Sequence, residues 1–121
     1  MPRATLAEDH IHPAVRERVA SLHAETVQQV QAAVLRHPVV VVGMAQTPWV
    51  GKAQRALDAA GVGHHDLDFG SYFSEWRSRN AVKMWSGWPT FPMVFVKGVL
   101  VGGAQDLDKL IVSGELKRLL A

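Results

Sequence analysis

The chain has 121 residues, of which 48% are hydrophobic and 20% charged, and this is typical of a single globular domain with one hydrophobic core. Its formal net charge is only +2, so charge alone points neither to a nucleic acid nor to an anionic membrane as a partner. The absence of cysteine excludes disulfides, thiolate metal ligands and thiol nucleophiles. No apolar run is long enough to span a bilayer and the first residues lack an apolar signal core, so we expect a cytoplasmic protein without a membrane partner.

The first two predicted elements of the chain are a helix and a strand. We assign residues 1–12 to an N-terminal tail and residues 13–121 to one domain. Between residues 13 and 37 apolar side chains recur at steps of three and four, which predicts one helix that stops before Pro38. The run VVVVG at residues 39–43 is apolar on both faces and rich in β-branched side chains, which predicts a buried central strand.

A second helix and a second strand complete a crossover unit. Thr47 has the form of an N-cap and Pro48 suits the first helical turn, so we expect a helix to begin here. Gly61 is placed to end that helix in a left-handed conformation. Residues 62–69 predict the second strand. The unit from 39 to 69 has the length of a strand–helix–strand crossover, so the two strands should run parallel.

Another helix and a hairpin follow along the chain. Ser71 or Ser74 can cap a helix that ends next to Gly87. Two β-branched runs lie on either side of Lys97 and Gly98, which predicts a β-hairpin. Gly98 should take a positive φ in its tight turn.

A last helix begins after the double glycine at 102–103 and is broken at Gly114. The predicted order is therefore α, β, α, β, α, β, β, α. A parallel crossover joined to an antiparallel hairpin gives a mixed four-stranded sheet flanked by helices, in the α/β class.

One segment narrows the fold further. The sequence WSGWPTFPMVFVKGVLVGG, residues 85–103, resembles the corresponding stretch of monothiol glutaredoxins, with the WPTFP, KG and GG groups in register. The likeness extends over roughly residues 26 to 120. It implies a thioredoxin-like (glutaredoxin) fold, to which the residues before this segment add an extra N-terminal helix.

The resemblance also implies where the active site of the family falls. Counted back from Gly61, the family's Cys-x-x-Cys or Cys-Gly-Phe-Ser site lies on Thr47-Pro48-Trp49-Val50, so other side chains occupy both sulfur positions. Without a thiolate the chain can neither exchange disulfides nor hold an iron–sulfur cluster with cysteines of its own. We therefore expect no catalytic residue at this degenerate site and no required cofactor.

Thr47 cannot replace the missing cysteine as a nucleophile. A helix N-terminus stabilises an anion by about 0.3 to 1 kcal/mol, and by up to about 2 kcal/mol in favourable geometry. This is less than about two pKa units, at about 1.36 kcal/mol each, whereas an alcohol needs a far larger shift or an adjacent general base. Two interpretations of the Thr47 hydroxyl stay open: it caps the helix, or it hydrogen-bonds the sulfur of a bound thiol, as a serine or tyrosine does in glutathione transferases.

The resemblance implies that a cleft for a thiol peptide surrounds this site. In thioredoxin-like proteins the loop that matches Thr90-Phe91-Pro92 holds a cis proline and turns the backbone N–H and C=O of Phe91 toward an extended ligand. The alternative is that this turn serves the folding of the hairpin alone. The candidate ligand-binding residues are Thr47, Trp49, Arg79, Lys83, Thr90, Phe91, Pro92, Gly103, Ala104 and Asp106.

Basic and aromatic residues share the predicted third helix. Arg79 and Lys83 are one turn apart, as a pair that holds a carboxylate would be, and Arg79 matches an arginine of the family beside the glycine carboxylate of glutathione. The alternative is a solvated basic face. Trp76, Trp85 and Trp88 interleave with these cations, as in a stacking platform for single-stranded nucleic acid. Core packing and partner contact explain the tryptophans more economically, so we expect no nucleic-acid partner.

The histidines do not predict a metal site. His64 and His65 are neighbours in sequence, and two neighbours in a strand point to opposite faces of the sheet. His10 and His12 have no recognisable further ligands nearby in the sequence. We therefore expect no bound metal.

The residues and the resemblance together favour a redox-inactive glutaredoxin-like protein with a cleft for a thiol peptide or a protein partner. Glutathione is the candidate ligand, and its binding should depend on Arg79. It should be weak, because Met44 and Gln105 stand where the family has charged partners. Two other functions stay open. One is a glutathione transferase-like enzyme in which Thr47 orients the thiolate, and the other is a protein-interaction module that uses the Trp-rich third helix.

Overall fold

The computed structural model describes residues 3–44, 47–69 and 76–121. Its helices are α1 (Pro13–Ser21), α2 (Ala24–Arg36), α3 (Pro48–Ala59), α4 (Trp76–Ser86), α5 (Ala104–Ser113) and α6 (Glu115–Leu120), and a short 3-10 turn at Glu8–His10 precedes them. Its strands are β1 (Val39–Gly43), β2 (His65–Asp68), β3 (Met93–Val96) and β4 (Val99–Gly102). The two predicted caps, Ser71 and Ser74, lie outside the described residues.

The four strands form one mixed sheet in the order β2–β1–β3–β4. β1 pairs with β2 in parallel and with β3 in antiparallel fashion, and β3 pairs with β4 in antiparallel fashion. Helices α2 and α4 pack on each other, as do α3 and α5, and both α2 and α3 contact β1. This is the predicted thioredoxin-like architecture, a parallel crossover joined to an antiparallel hairpin, with α1 as the extra N-terminal helix.

Strand β1 lies inside the sheet and carries the centre of the core. Its four valines, Val39 to Val42, are at most 1% exposed, although successive side chains point to opposite faces. Both faces of this strand are therefore covered. Leu57 of α3 and Leu107 of α5 are also fully buried. Burying one such side chain contributes about 1.5 to 3 kcal/mol to stability, so this run holds the helical layers to the sheet.

The prediction of one helix from 13 to 37 is wrong, because two helices, α1 and α2, meet at Leu22 and His23. His23 has the left-handed conformation, with φ 43° and ψ 42°, although it is neither glycine nor asparagine. Contacts with α4 hold this junction: His23 Nδ1 lies 3.3 Å from Ser78 Oγ, to which the Thr26 hydroxyl also donates. The apolar spacing continues across the break and does not reveal it.

The turns predicted from glycines lie where they are expected. The β3–β4 hairpin turns at Lys97 and Gly98 with φ values of 52° and 83°, the pair of positive angles that matches the twist of the strands. Gly61 follows α3 with φ 72°, in the left-handed region. Strand β2 is shorter than the predicted segment 62–69.

His64 connects the end of α3 to the start of β2. Its Nε2 lies 2.9 Å from Asp58 Oδ1 and its Nδ1 lies 2.6 Å from Asp66 Oδ1, and its side chain is only 10% exposed. Ionised carboxylates only accept hydrogen bonds, so a proton on each ring nitrogen satisfies both contacts. Burial lowers the pKa of His64, but the hydrogen bonds to the two carboxylates outweigh burial and raise the pKa above its usual 6.5.

We expect the free energy of unfolding to fall as the pH rises above neutrality. Because the pKa of His64 is higher in the folded than in the unfolded state, its contribution is complete below about pH 6.5 and is lost as the pH rises through the folded-state pKa. Urea unfolding midpoints from about pH 5.5 to pH 9 measure this loss. His64→Gln should show a smaller loss than the parent, and His10→Gln, at an exposed position, the same loss. Equal losses in all three proteins would contradict the assignment.

Candidate functional site

A cleft of about 230 Å³ lies near the ends of three elements: the start of α3 after β1, the loop before β3 and the start of α5. Its lining residues are Trp49, Trp88, Thr90, Phe91, Pro92, Gly103, Ala104, Gln105 and Asp106. All the predicted ligand-binding residues of the loop and of α5 are among them. The fold thus brings together segments that are more than fifty residues apart in sequence.

The loop before β3 forms one wall of the cleft. Phe91 and Pro92 are buried, and the peptide bond between them, for which the resemblance implies the cis form, is cis. Phe91 precedes β3, and no backbone hydrogen bond among the described residues uses its N–H or C=O. A ligand in an extended conformation can therefore pair with Phe91 as an added strand does at a sheet edge.

The start of α5 forms a second wall. The Gly103 N–H donates to Asp106 Oδ2 at 3.0 Å, which satisfies one of the amide groups at the helix start. The remaining amides make this helix end electropositive, which stabilises a nearby anion by about 0.3 to 1 kcal/mol. The Asp106 carboxylate offsets part of this charge. Gly103 also lies close to the loop, since a side chain at this position would sit 3.5 Å from the Pro92 carbonyl oxygen.

Trp88 and Gln105 line the cleft but are not among the predicted ligand-binding residues. The indole Nε1–H of Trp88 is buried without a hydrogen-bond partner among the described residues. It lies beside Gly103, where an added Cβ would be 3.7 Å from it. An unpaired buried donor costs about 1 to 3 kcal/mol, so a ligand with an acceptor at this place gains stability. Trp88 belongs to the Trp-Pro pair directly before Thr90, and this position next to the predicted loop is the sequence feature that could have identified it as a cleft residue.

At the start of α3, the position that matches the second cysteine of the family is occupied by the buried side chain of Val50. Thr47 is the N-cap and Pro48 the first helical residue, as predicted. The Thr47 side chain makes no capping hydrogen bond, so the capping interpretation of its hydroxyl is wrong. Thr47 is half-buried and is not among the lining residues of the cleft. Val50 is 8% exposed and packs on Gly43, where an added Cβ would lie 2.6 Å from Val50 Cγ1.

Two lysines lie over aromatic rings of the cleft. Lys52 Nζ is 5.2 Å from the ring centre of Trp49, and Lys83 Nζ is 5.6 Å from the ring centre of Phe91. Trp49 is 46% exposed, whereas Phe91 is 8% exposed. Such cation–π contacts contribute about 0.5 to 1 kcal/mol each at exposed sites. The two ammonium groups add positive charge near the cleft and favour an anionic ligand.

Arg79 is buried on α4, one helical turn from Lys83. It is 6% exposed, and its Nη1 donates to the Phe69 carbonyl oxygen at 3.0 Å. It is not among the residues that line the cleft. The spacing placed the two residues on one helix face, but the Arg79 side chain turns inward and ties α4 to the end of β2. Arg79 thus contacts the backbone next to the end of β2, whereas Lys83 lies over the ring of Phe91 in the cleft.

The predicted third helix corresponds to α4. Trp85 is 36% exposed, and its ring centre lies 5.9 Å from that of Phe95. Met84 beside it is 59% exposed. The Trp76 side chain lies outside the described part of the structure, and Trp88 lines the cleft. Trp85 and Trp88 thus lie in different surroundings and do not form one stacking surface.

Neither a metal site nor a membrane span is present in the part of the chain that the structure describes. Within residues 3–44, 47–69 and 76–121 no three histidine, aspartate or glutamate side chains are grouped to hold a metal ion. In the same ranges no helix is both long and apolar enough to cross a bilayer.

Sequence comparison decides the family. Over 98 residues the chain is 41% identical to a glutaredoxin-like protein of Dictyostelium discoideum, and the alignment covers 81% of this chain and 80% of that protein. The chain belongs to the glutaredoxin-like family. It is also 37% identical over 81 residues to the bifunctional monothiol glutaredoxin-S16 of Arabidopsis thaliana, covering 64% of this chain but only 28% of that protein. No protein-family model matches the sequence.

Solved glutaredoxin structures share the fold of this glutaredoxin-like protein. Oxidised glutaredoxin 2 from Chlamydomonas reinhardtii aligns with a TM-score of 0.70 at 26% identity, over 80% of this chain and 92% of that one. A mutated buckwheat glutaredoxin aligns with a TM-score of 0.74 at 21% identity, over 84% and 92% of the two chains. The resemblance drawn from the WPTFP segment is therefore confirmed, in a member of the family that has no cysteine.

Proposed function

We propose that this glutaredoxin-like protein is redox-inactive and that its cleft binds a thiol peptide or an extended segment of a protein partner. The observation that supports this best is a formed cleft beside a helix start at which Thr47 and Val50 stand in place of sulfur. Disulfide exchange needs a thiolate, which the chain does not contain. Binding needs only the walls of the cleft.

The walls suit a peptide that carries negative charge. The backbone of Phe91 pairs with the backbone of an extended ligand, which gives affinity without sequence preference. The first amides of α5 and the two lysines, Lys52 and Lys83, attract a carboxylate. The buried indole N–H of Trp88 has no hydrogen-bond partner among the described residues, so a ligand with an acceptor close to Gly103 binds more tightly by pairing with it.

Glutathione is a thiol peptide of this kind, and we expect it to bind weakly. Its two carboxylates and its ammonium group depend on charge-assisted hydrogen bonds. Gln105 in the cleft wall is neutral, and Met44 is apolar and 9% exposed, so neither position supplies a charge. The loss of one such contact weakens binding about tenfold or more, which places the dissociation constant in about the millimolar range.

Calorimetric titration with glutathione at two ionic strengths tests this proposal. Lys83→Ala should weaken binding about three- to tenfold, and added salt should weaken it as well. Lys109→Ala, on the exposed side of α5, is the matched control and should bind as the parent does. Arg79 is unsuitable for this comparison because its burial makes a loss of stability the main effect of any substitution.

Two results would argue against a charge-dependent glutathione site. Micromolar binding that neither Lys83→Ala nor salt changes would show that other contacts hold the ligand. Complete absence of binding would favour the interaction-module function, for which Trp85 and Met84 supply exposed apolar surface on α4.

The transferase-like function is a second candidate, and one observation favours it. Because the Thr47 side chain makes no capping hydrogen bond, its hydroxyl is not committed to the helix. A hydroxyl at a helix N-terminus can donate to the sulfur of a bound thiolate. Conjugation of a chloronitroaromatic electrophile to glutathione, measured for the parent and for Thr47→Val, separates this function from simple binding.

A further inference from the structure

A second cavity, of about 560 Å³, lies at the end of the sheet away from the cleft. It is formed where β1 and β2 begin and β3 ends, and it shares no lining residue with the cleft. Among the described residues that line it, none is acidic. We call it the histidine cavity, and the side chains on which the argument depends are His37, His64, His65, Lys97 and Leu120.

His37 and His65 form a stacked pair in this cavity. Their ring centres are 4.1 Å apart and their planes differ by 6°. His37 follows α2 and His65 begins β2, so two different elements hold the rings together. Two imidazoles at this distance repel each other when both are protonated, and a neighbouring anion offsets that repulsion. The ring nitrogens lie in two parallel planes, so their lone pairs do not converge on one metal ion.

The charged groups around the cavity favour an anion. Asp58 and Asp66 both contact the ring of His64, whose raised pKa favours the protonated form, so one imidazolium charge offsets one of the two carboxylates, and neither aspartate lines the cavity. Lys97 in the hairpin turn is exposed and has no acidic partner among the described residues. A smaller cavity of about 340 Å³, which adjoins through Lys97, is lined by Arg36. Neither Lys97 nor Arg36 makes a salt bridge with an acidic side chain among the described residues.

We propose that the histidine cavity binds a tetrahedral oxyanion, the phosphate group of a small molecule. Lys97 supplies a permanent positive charge, and His37 and His65 supply ring N–H groups that donate to the phosphate oxygens. A phosphate presents more acceptor oxygens than a carboxylate and can use lysine and imidazole donors together. The partly exposed side chain of Leu120 provides apolar surface for the carbon part of the ligand.

Sulfate is the first probe, because it is a tetrahedral dianion whose oxygens accept hydrogen bonds from cationic side chains. The ring C–H resonances of the histidines are followed by NMR at constant ionic strength, with chloride as the balancing ion. The resonances of His37 and His65 should shift together and saturate, and those of His10 and His12 in the N-terminal segment should not.

Two substitutions test whether Lys97 and His37 hold the anion. Lys97→Gln should weaken sulfate binding about three- to tenfold, while Lys109→Gln, an exposed lysine of α5, should leave it unchanged. His37→Asn, with its fold verified by circular dichroism, should weaken binding as well. Inorganic phosphate and glycerol phosphate are then compared, and tighter binding of either one identifies the source of the phosphate group. The proposal is overturned if His37 and His65 respond no more than His10, or if Lys97→Gln and Lys109→Gln titrate alike.

Discussion

Gly102→Ala is expected to lower the free energy of unfolding by about 3 kcal/mol or more. Gly102 has a φ of 117°, a conformation that costs a residue with a side chain on the order of 1 to 3 kcal/mol. An added Cβ would also collide with the Asp106 carboxylate, at 2.7 Å from Cγ and 2.8 Å from Cβ. If Asp106 moves away, it loses the hydrogen bond that it accepts from Gly103, which contributes about 1.5 to 3 kcal/mol.

Gly114→Ala is the matched control for this substitution. Gly114 also has a positive φ, 80°, but nothing lies within 4 Å of an added Cβ, so only the backbone conformation is penalised. We expect a loss of about 1 to 2 kcal/mol. Urea unfolding of the parent and both variants measures the difference. Equal losses would show that the contact between Gly102 and Asp106 does not shape the start of α5.

Local signals predicted most of the fold. The run of four valines at 39–42 is apolar on both faces, and only an interior strand can bury such a run completely. Lys97 and Gly98 form a tight turn in which both residues have a positive φ. The glycine is the local signal for this turn, because it adopts a positive φ without a steric penalty. The break between α1 and α2 has no such signal, because His23 is held in place by Ser78, 55 residues away in sequence. A contact at that distance is invisible to any pattern of neighbouring residues.

The sequence predicted the backbone segments that form the cleft, but it did not predict the positions of the side chains that lie around it. The loop around Phe91 and Pro92 and the start of α5 lie in the segment that carries the family resemblance, and the fold brings them together. Helical periodicity places Arg79 and Lys83 on one face but does not say where a long side chain ends. Arg79 donates to the Phe69 carbonyl and is not among the residues that line the cleft. The unpaired N–H of Trp88 is likewise a property of tertiary packing.

The parent protein is expected to show no glutathione-dependent reduction of mixed disulfides, and Thr47→Cys is expected to gain it. Position 47 is the N-cap of α3, and the thiol pKa of a cysteine, about 8.5 when unperturbed, falls to about 3.5 to 7.5 at helix N-termini and beside cations. The thiolate formed there is the nucleophile that the parent lacks. A coupled reductase assay at neutral pH should give a rate at least about tenfold above that of the parent, because the thiolate fraction rises with the fall in pKa.

Ser113→Cys is the matched control for position 47, since it places a thiol at the exposed C-terminal end of α5, where the helix dipole disfavours an anion. The rate of alkylation against pH gives the thiol pKa of each variant, and that of Thr47→Cys should be the lower of the two. This readout depends on the helix end alone, whereas turnover also needs glutathione in the cleft. A depressed pKa without turnover would therefore mean that the cleft no longer takes glutathione, which favours a protein segment as its occupant. Equal pKa values in the two variants would instead show that the start of α3 no longer offers an environment for a thiolate.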